Sequence, residues 1–241
     1  LLGFMQAYVR WKLNKQDDPF VDDEYAIACD RLRRMVRQGN ITVLLARLYT
    51  EEMIRQQQGS GDLPPASVQD LMLSYLKQLN DQIEPANRRD YQQVRQDALV
   101  IAWECLKQTY RPTVTLREGV IQALRATQPA ADLTVQDKAS AASLDYLENR
   151  LLLLQTLDNK IKIVLDPLAE YLAATWLIDR SRSQKDAQDA EDFWLWFLDS
   201  IDPILQQSND PPAAIQGFLL AVRDCCLVNQ KEARIPDAVP E

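Results

Sequence analysis

The chain has 241 residues, 46% of them hydrophobic, and a formal net charge of −8. That hydrophobic content is enough for a buried core in one large or two small domains. The acidic charge does not suit a protein that grips nucleic acid or an anionic membrane through clustered lysine and arginine, so the balance favours protein partners. There is no histidine, which excludes Ser-His-Asp and Cys-His catalytic pairs and histidine metal sites.

The four cysteines, Cys29, Cys105, Cys225 and Cys226, have no Cys-x-x-Cys spacing. They therefore predict neither a zinc site nor a disulfide framework, and we interpret them as reduced core thiols of a cytoplasmic protein. No stretch reaches the roughly 20 apolar residues of a membrane span, and the first residues do not form a signal peptide. Because the sequence starts within a helical pattern, we expect it to be a piece of a longer protein.

Only six glycines and repeated helical apolar spacing predict a mainly α fold. Residues 1–60 are predicted to form a small helical domain, with a short helix over residues 1–13, a second capped by Asp22 or Asp23, and a third starting near Asn40. The polar stretch 56–65 combines a glutamine run, glycines and a proline pair, so we predict a linker and domain boundary there.

Residues 61–183 are predicted to form the second domain. Ser67 is expected to cap its first helix, and the pattern over residues 91–110 is apolar on most sides, which predicts a central helix. Thr115 to Glu118 has the capping-box pattern of a further helix start. Residues 127–140 are interpreted as a loop that leads to a helix from about Ser143.

The hydrophobic rhythm changes from helical to strand in the stretch 151–165. Asp158-Asn159-Lys160 has turn chemistry and residues 160–165 alternate polar and apolar, which predicts one β-hairpin. Asp166 is expected to be the N-cap of the next helix, with Pro167 at its first position. A hairpin between helices is typical of the back half of a winged-helix domain.

Residues 184–241 are predicted to be a C-terminal helical segment with two helices. The first is rich in aromatic residues and is expected to end at Asp202-Pro203, and the second to start at Pro211 or Pro212. Such a pair would suit the beginning of a helical repeat array, although one pair does not establish a repeat.

The segment LDPLAEYLAATWL resembles the Phe-x-His-x-x-Phe-x-Glu-Tyr-x-Ala-Ala signature of NACHT-type STAND NTPases, which closes their winged-helix domain. Leu165 takes the place of the family's histidine, Leu168 that of an aromatic residue. The rest of the match is Glu170, Tyr171, Ala173 and Ala174. Asn40-Ile41-Thr42-Val43-Leu44 similarly resembles the Asn-Pro-Leu-Leu-Leu-like start of the family's short helical domain, with Ile41 at the place of the proline.

The resemblance implies a regulatory segment of a STAND-type signalling NTPase. In that family the winged helix folds onto an ADP-bound P-loop domain and swings away on exchange to ATP, which exposes oligomerisation surfaces. By resemblance, Ile41 would lie nearest the base, and Leu165 and Asp166 nearest the phosphates. The implied cofactor is ADP or ATP with Mg²⁺ in the parent protein. The implied partners are its upstream P-loop domain, further copies in the activated oligomer, and downstream sensor repeats.

The sequence contains no Gly-x-x-x-x-Gly-Lys-Ser/Thr, no acidic Walker B strand and no Gly-x-Gly-x-x-Gly. We therefore expect no catalytic residue, no metal site and no enzymatic activity in this chain alone. Two alternatives stay open: a winged-helix regulator that binds nucleic acid, and a helical scaffold that only binds other proteins. Strongly salt-dependent DNA affinity would belong to the first of these alone.

Overall fold

The structure is a computed structural model that describes residues 1–14, 19–36, 41–59, 64–127, 132–206, 213–230, 235–236 and 239. Within these ranges it has ten α-helices and one three-stranded sheet, so the predicted mainly α class is confirmed. The chain divides into two compact units, residues 1–75 and 76–241. None of the described helices is both long and apolar enough to cross a bilayer.

The first unit contains α1 (Leu2–Leu13), α2 (Asp22–Val36), α3 (Val43–Gln57) and the start of α4 (Val68–Asp81). Helix α1 packs on α2 and α3 through Met5 and Val9, which are fully buried. Two glutamates of α3 are also buried, and both have polar partners. Glu51 accepts hydrogen bonds from Tyr8 and from Arg47 Nε at 3.1 Å, and Glu52 accepts from Arg55 at 3.1 Å.

Side-chain hydrogen bonds stabilise the starts of α2, α3 and α4, and some of these helices start at positions other than those predicted. Ser67 caps α4 as predicted, since its Oγ accepts from Asp70 N at 3.0 Å. The predicted Asp22 or Asp23 cap of α2 is wrong by one residue, because Val21 precedes the helix and its N–H donates to Glu24 Oε2 at 2.9 Å. Helix α3 is capped by Thr42, whose Oγ1 accepts from Leu45 N at 3.3 Å.

The second unit is built around α5 (Tyr91–Leu106), where Asp97–Trp103 are all buried, as the all-round apolar pattern predicted. A π-helical turn at Tyr146–Arg150 follows directly on α7. The remaining elements are α6 (Arg117–Thr127), α7 (Leu133–Asp145), α8 (Asp166–Arg182), α9 (Ala187–Leu205), α10 (Ala213–Asn229) and the strands β1 (Thr115–Leu116), β2 (Leu154–Leu157) and β3 (Lys160–Ile163).

The predicted hairpin is confirmed. Strands β2 and β3 pair antiparallel with Leu157 opposite Lys160, and the connecting Asp158 and Asn159 have φ of 45° and 63°. Positive φ at both central positions is what a two-residue hairpin of matching twist requires. Ile161 and Ile163 of β3 are buried, as the alternation indicated. Strand β1 adds to the other edge of β3, so the strand order is β1-β3-β2.

Two predicted helix starts of this unit were wrong. Thr115 is not a helix cap, because Thr115 and Leu116 pair with β3 and α6 begins at Arg117. Helix α7 starts about ten residues before Ser143, with Asp132 accepting from Thr134 N at 3.1 Å. Its outward Leu133 is 70% exposed and its inner face carries small polar residues, so hydrophobic periodicity could not reveal it.

Helix α9 continues through Asp202 and Pro203 to Leu205, so the predicted break at this dipeptide was also wrong. Proline removes one backbone N–H donor, but in the last turn of a helix this costs a single hydrogen bond at an exposed position. The helix starts predicted at Pro211 or Pro212 lie outside the described residues, which resume at α10 with Ala213.

Candidate functional site

Helix α8, which carries the NACHT-like signature, packs against α5, α9, α10 and β3. Polar bonds tie its C-terminal half to two of these helices. Arg95 Nη2 of α5 lies 2.7 Å from Asp179 Oδ2, and Trp194 Nε1 of α9 donates to Ser181 Oγ at 2.9 Å. The signature segment is therefore an internal helix whose sides are covered by neighbouring elements.

The apolar signature residues are core positions. Leu168, Ala173 and Ala174 are all buried, with at most 1% of their surface exposed. The two adjacent alanines, Ala173 and Ala174, have short side chains, which permits close approach of neighbouring helices. These residues explain the packing of α8 and offer no group that could contact a ligand.

The signature tyrosine connects α8 to α10. Tyr171 Oη donates to Asp224 Oδ2 over 2.8 Å. Burial, and after it the adjacent carboxylate, raises the pKa of Tyr171, so the phenol keeps its proton and remains the donor. A charge-assisted bond of this kind is stronger than one between neutral groups.

The signature glutamate lies against a glycine of the same partner helix. A Cβ on Gly217 would come within 2.6 Å of Glu170 Cδ, so α10 can pass this close only because residue 217 has no side chain. Burial, followed by the charge of Asp166, raises the pKa of Glu170 to about 7. In the described part of the chain no lysine or arginine pairs with this carboxyl.

A third contact, a hydrogen bond, joins α8 and α10 near the C-terminal end of α8. Arg182 Nη2 donates to Asn229 Oδ1 at 2.6 Å, and Asn229 Nδ2 donates to Cys225 O at 2.7 Å. We name the contacts of Glu170, Tyr171 and Arg182 with Gly217, Asp224 and Asn229 the α8–α10 junction.

The start of α8 corrects the predicted cap. The helix begins at Asp166 itself, the N-cap position belongs to Leu165, and no side chain makes the capping bond. Asp166 is an exposed first-turn acid that complements the helix dipole, and Leu165 is half-buried. The structure thus places these two predicted site residues together at one helix terminus.

Ile41, the third predicted site residue, belongs to the first unit and is half-buried immediately before the Thr42 cap of α3. Asn40, the first residue of the segment that resembles the family's short helical domain, lies outside the described residues. A predicted role of Ile41, Leu165 and Asp166 beside a nucleotide stays a prediction.

The titratable groups of the described residues offer little catalytic chemistry. No group of three or more cysteine, aspartate and glutamate side chains is arranged to hold a metal ion there. All four cysteines are buried and free, and burial raises the pKa of Cys105 and of Cys226 to about 12, so neither provides a reactive thiolate. The interpretation as buried core thiols is confirmed.

The first unit has one notable open pocket, of about 340 Å³, between α2 and α3. Its wall mixes aromatic, aliphatic, acidic and amide groups, and most of the polar ones already have partners within the unit. Ile41 does not line it. The lining residues are Phe20, Glu24, Ile27, Ala28, Arg31, Tyr49, Glu52, Met53, Gln56, Gln57 and Pro65.

Sequence reasoning missed the α10 half of the junction, namely Gly217, Asp224 and Asn229. A glycine in the middle of an otherwise regular helix was the one available signal, because glycine there weakens a helix unless close packing requires it. Asp224 and Asn229 carry no local signal, since their partners lie 53 and 47 residues away along the chain.

One family model, NACHT C-terminal Helical domain 4, matches residues 207–241, the segment that contains α10. Neither a curated protein nor a solved structure matches the chain. The family match includes α10, one half of the α8–α10 junction, whereas the signature resemblance rests on α8, the other half. The family match and the signature therefore concern separate stretches of the sequence. The NACHT-type resemblance predicted from the sequence is confirmed by this similarity of residues 207–241 to a NACHT C-terminal helical domain.

Proposed function

We propose that this chain is the regulatory segment of a NACHT-type STAND NTPase and couples the nucleotide state of an upstream P-loop domain to opening and oligomerisation. The observation that carries the proposal is the α8–α10 junction. Helix α8 resembles the family's winged-helix signature, and it is bonded through Tyr171 to Asp224, inside the segment that matches a NACHT helical domain.

In this proposal, the part of the predicted winged-helix domain (residues 61–183) that lies in the second unit, residues 76–183, forms the body of that domain. The sheet order β1-β3-β2, the hairpin turn at Asp158-Asn159 and the helices α6, α7 and α8 around it are the features that support this interpretation. Helix α8 then has one end, Leu165 and Asp166, available toward the phosphates of a bound nucleotide. Its body is held by α10, so a displacement at its start would be passed to the C-terminal helices as a rigid-body motion.

The proposal assigns the chain itself no enzymatic activity. ADP or ATP, Mg²⁺ and the phosphate-binding loop would be contributed by the upstream domain of the cytoplasmic parent, and downstream sensor repeats and further copies would be its partners. The first experiment is therefore to read the coding sequence upstream of Leu1. A P-loop motif there is expected, and an upstream region that lacks one contradicts the proposal.

The second experiment tests the coupling in the full-length parent. Tyr171→Phe removes the junction hydrogen bond, and we expect the fraction of retained ADP and the fraction of monomer in sedimentation velocity to change by at least about twofold, since loss of a charge-assisted bond is worth about 1 kcal/mol or more. The expectation concerns the balance of states, so both readouts should move together.

Tyr146→Phe is the matched control. Tyr146 Oη donates to Asn80 Oδ1 at 2.6 Å in a buried contact of the same unit, away from the α8–α10 junction. This change should lower stability without shifting nucleotide content or oligomer fraction. If both tyrosine variants shift the two readouts equally, the effect reflects general stability and the coupling role of the junction is refuted.

A further inference from the structure

Helix α9 has two faces of different character. Its inner face is buried against the unit through Ala190, Trp194, Phe197 and Ile201. Opposite them lies a set of exposed residues spaced as i, i+3, i+4 and i+7, which we call the α9 outer face: Asp192, Leu195, Trp196 and Asp199. The four inner residues provide the fully buried packing of α9, whereas the outer residues keep a large part of their surface exposed.

The outer face has a fixed aromatic anchor. Trp196 and Leu195 are each 50% exposed, which is high for two adjacent large apolar side chains. The indole of Trp196 meets the edge of Trp103 with 6.5 Å between ring centroids, and Trp103 stacks on Trp176 at 4.6 Å. Phe193 lies 5.7 Å from Trp196 on its own helix. The ring is thus supported by Trp103 of α5 and by Phe193 of its own helix, so it loses little conformational entropy on binding.

The charges that α9 itself places around this anchor are all negative. Asp192 precedes Trp196 by one helical turn and Asp199 follows it by nearly one turn, and α9 contains no lysine or arginine. Lys107, the C-cap residue of α5, lies one turn after Trp103 but pairs with Glu104 at 2.7 Å. An indole face with carboxylates on both sides suits a guanidinium or ammonium group, through cation–π attraction and ion pairing.

We propose that the α9 outer face binds a basic amphipathic helix of a partner protein. The partner's apolar residues would cover Leu195 and Trp196, and its arginine or lysine side chains would reach Asp192 and Asp199. A ridge of residues at helical spacing fits the grooves of a second helix, and the acidic rim selects a basic one. This inference does not depend on the proposed NACHT-type function, because it rests on α9 alone.

The test uses a fluorescein-labelled amphipathic helical peptide of leucine and lysine, titrated with the 241-residue chain and followed by fluorescence anisotropy. A leucine and glutamate peptide of the same pattern is the charge control and should not bind. We expect Trp196→Ala to weaken the Kd for the basic peptide by about tenfold, as for an aromatic anchor. Asp192→Asn and Asp199→Asn should each weaken it by about threefold and reduce its dependence on salt.

Trp11→Ala is the matched control, because Trp11 is 73% exposed on α1 of the other unit, and it should leave the Kd unchanged. The double variant Asp192→Asn with Asp199→Asn alters only surface groups and keeps the test decisive if Trp196→Ala unfolds. Equal effects of Trp196→Ala and Trp11→Ala, or equal binding of both peptides, would overturn the proposal. Self-association of the chain that depends on Trp196, seen by sedimentation velocity, would overturn it too and assign the face to a second copy.

Discussion

The two units of this protein bury glutamate carboxyls in opposite ways. In the first unit, Glu51 and Glu52 are each 5% exposed, and each meets an arginine, Arg47 or Arg55. In the second unit, burial, and after it the charge of Asp166, raises the pKa of the Glu170 carboxyl to about 7. The comparison shows that burial and the charge of the neighbouring side chain together decide whether the ionised or the protonated form of a carboxyl is favoured.

The consequences for stability differ in sign. A buried carboxylate with its arginine is destabilised when the cation is removed, because an uncompensated charge stays behind. A carboxyl whose pKa is higher in the folded than in the unfolded state instead destabilises the fold when it is ionised. Between these two pKa values the folded state binds more protons than the unfolded state, so the free energy of unfolding falls as the pH rises toward 7. Substitutions at these carboxyls and at their neighbours should therefore change stability by different amounts and in different directions.

The largest effect should come from separating a paired glutamate from its cation. Arg55→Met removes the arginine but leaves Glu52 the hydrogen bond from Ser74 Oγ at 2.8 Å, and we expect a loss of about 2 to 3 kcal/mol in unfolding free energy. Urea unfolding, with hydrogen exchange of the α3 amides to locate the effect, measures it. Arg34→Met is the control, because Arg34 and Asp30 form a largely exposed pair, worth about 0 to 0.5 kcal/mol. Equal losses in both variants would remove the distinction drawn for the first unit.

Glu170→Gln should act in the opposite direction. The neutral amide avoids ionisation beside Asp166, so the variant should be more stable than wild type at pH 8, by about 1 kcal/mol once solvent screening of this partly buried group is allowed for. The stability gain of the variant should shrink as the pH falls from 7 to 4.5. Over this range wild-type Glu170 becomes protonated, first in the folded and then in the unfolded state. Melting temperatures measured across this range give the answer. A variant less stable than wild type at pH 8 would show that the ionised carboxyl is favourably placed.

The close approach at Gly217 can be tested with a double-mutant cycle. Gly217→Ala alone gains helix propensity of about 1 kcal/mol but pushes against the carboxyl of Glu170, so little net change is expected. In a Glu170→Ala background the obstruction is gone, and the same substitution should stabilise by about 1 kcal/mol. Gly119→Ala on α6, where nothing lies within 4 Å of the added Cβ, is the control and should stabilise in both backgrounds. Identical effects of Gly217→Ala in both backgrounds would mean that Glu170 yields without cost.

The smallest effect concerns Asp166. Because it is an exposed first-turn residue without a capping bond, Asp166→Asn should cost only about 0.3 to 0.5 kcal/mol through the helix dipole. It should also lower the pKa of Glu170, since it removes the negative charge that helps raise it. The decline in stability between pH 4.5 and 7 should therefore be smaller in the variant than in wild type and should end at a lower pH, as read from melting temperature against pH. A loss above about 1 kcal/mol would restore the capping role that the sequence predicted for this residue.

Features that depend on neighbouring residues could be predicted from the sequence alone. The Asp158-Asn159 turn, the alternation that buries Ile161 and Ile163, the Ser67 cap and the central position of α5 each follow from turn chemistry, capping or periodicity within about 20 residues. The signature in α8 belongs to this group, and it indicated the NACHT-type resemblance that the match of residues 207–241 supports. Helix α7 and the continuation of α9 through Pro203 were missed because an inner face of serines and a terminal proline give no periodic signal.

The contacts that define the site were decided by the tertiary structure. Tyr171 contacts Asp224, and Glu170 contacts Gly217, only because α10 packs against α8. No pattern within either helix specifies which residues will face each other. The raised pKa of Glu170 follows from the same packing, because desolvation and the nearness of Asp166 exist only in the folded chain. Local sequence set where helices and strands form, whereas long-range packing set which of their polar groups became partners and which were left without one.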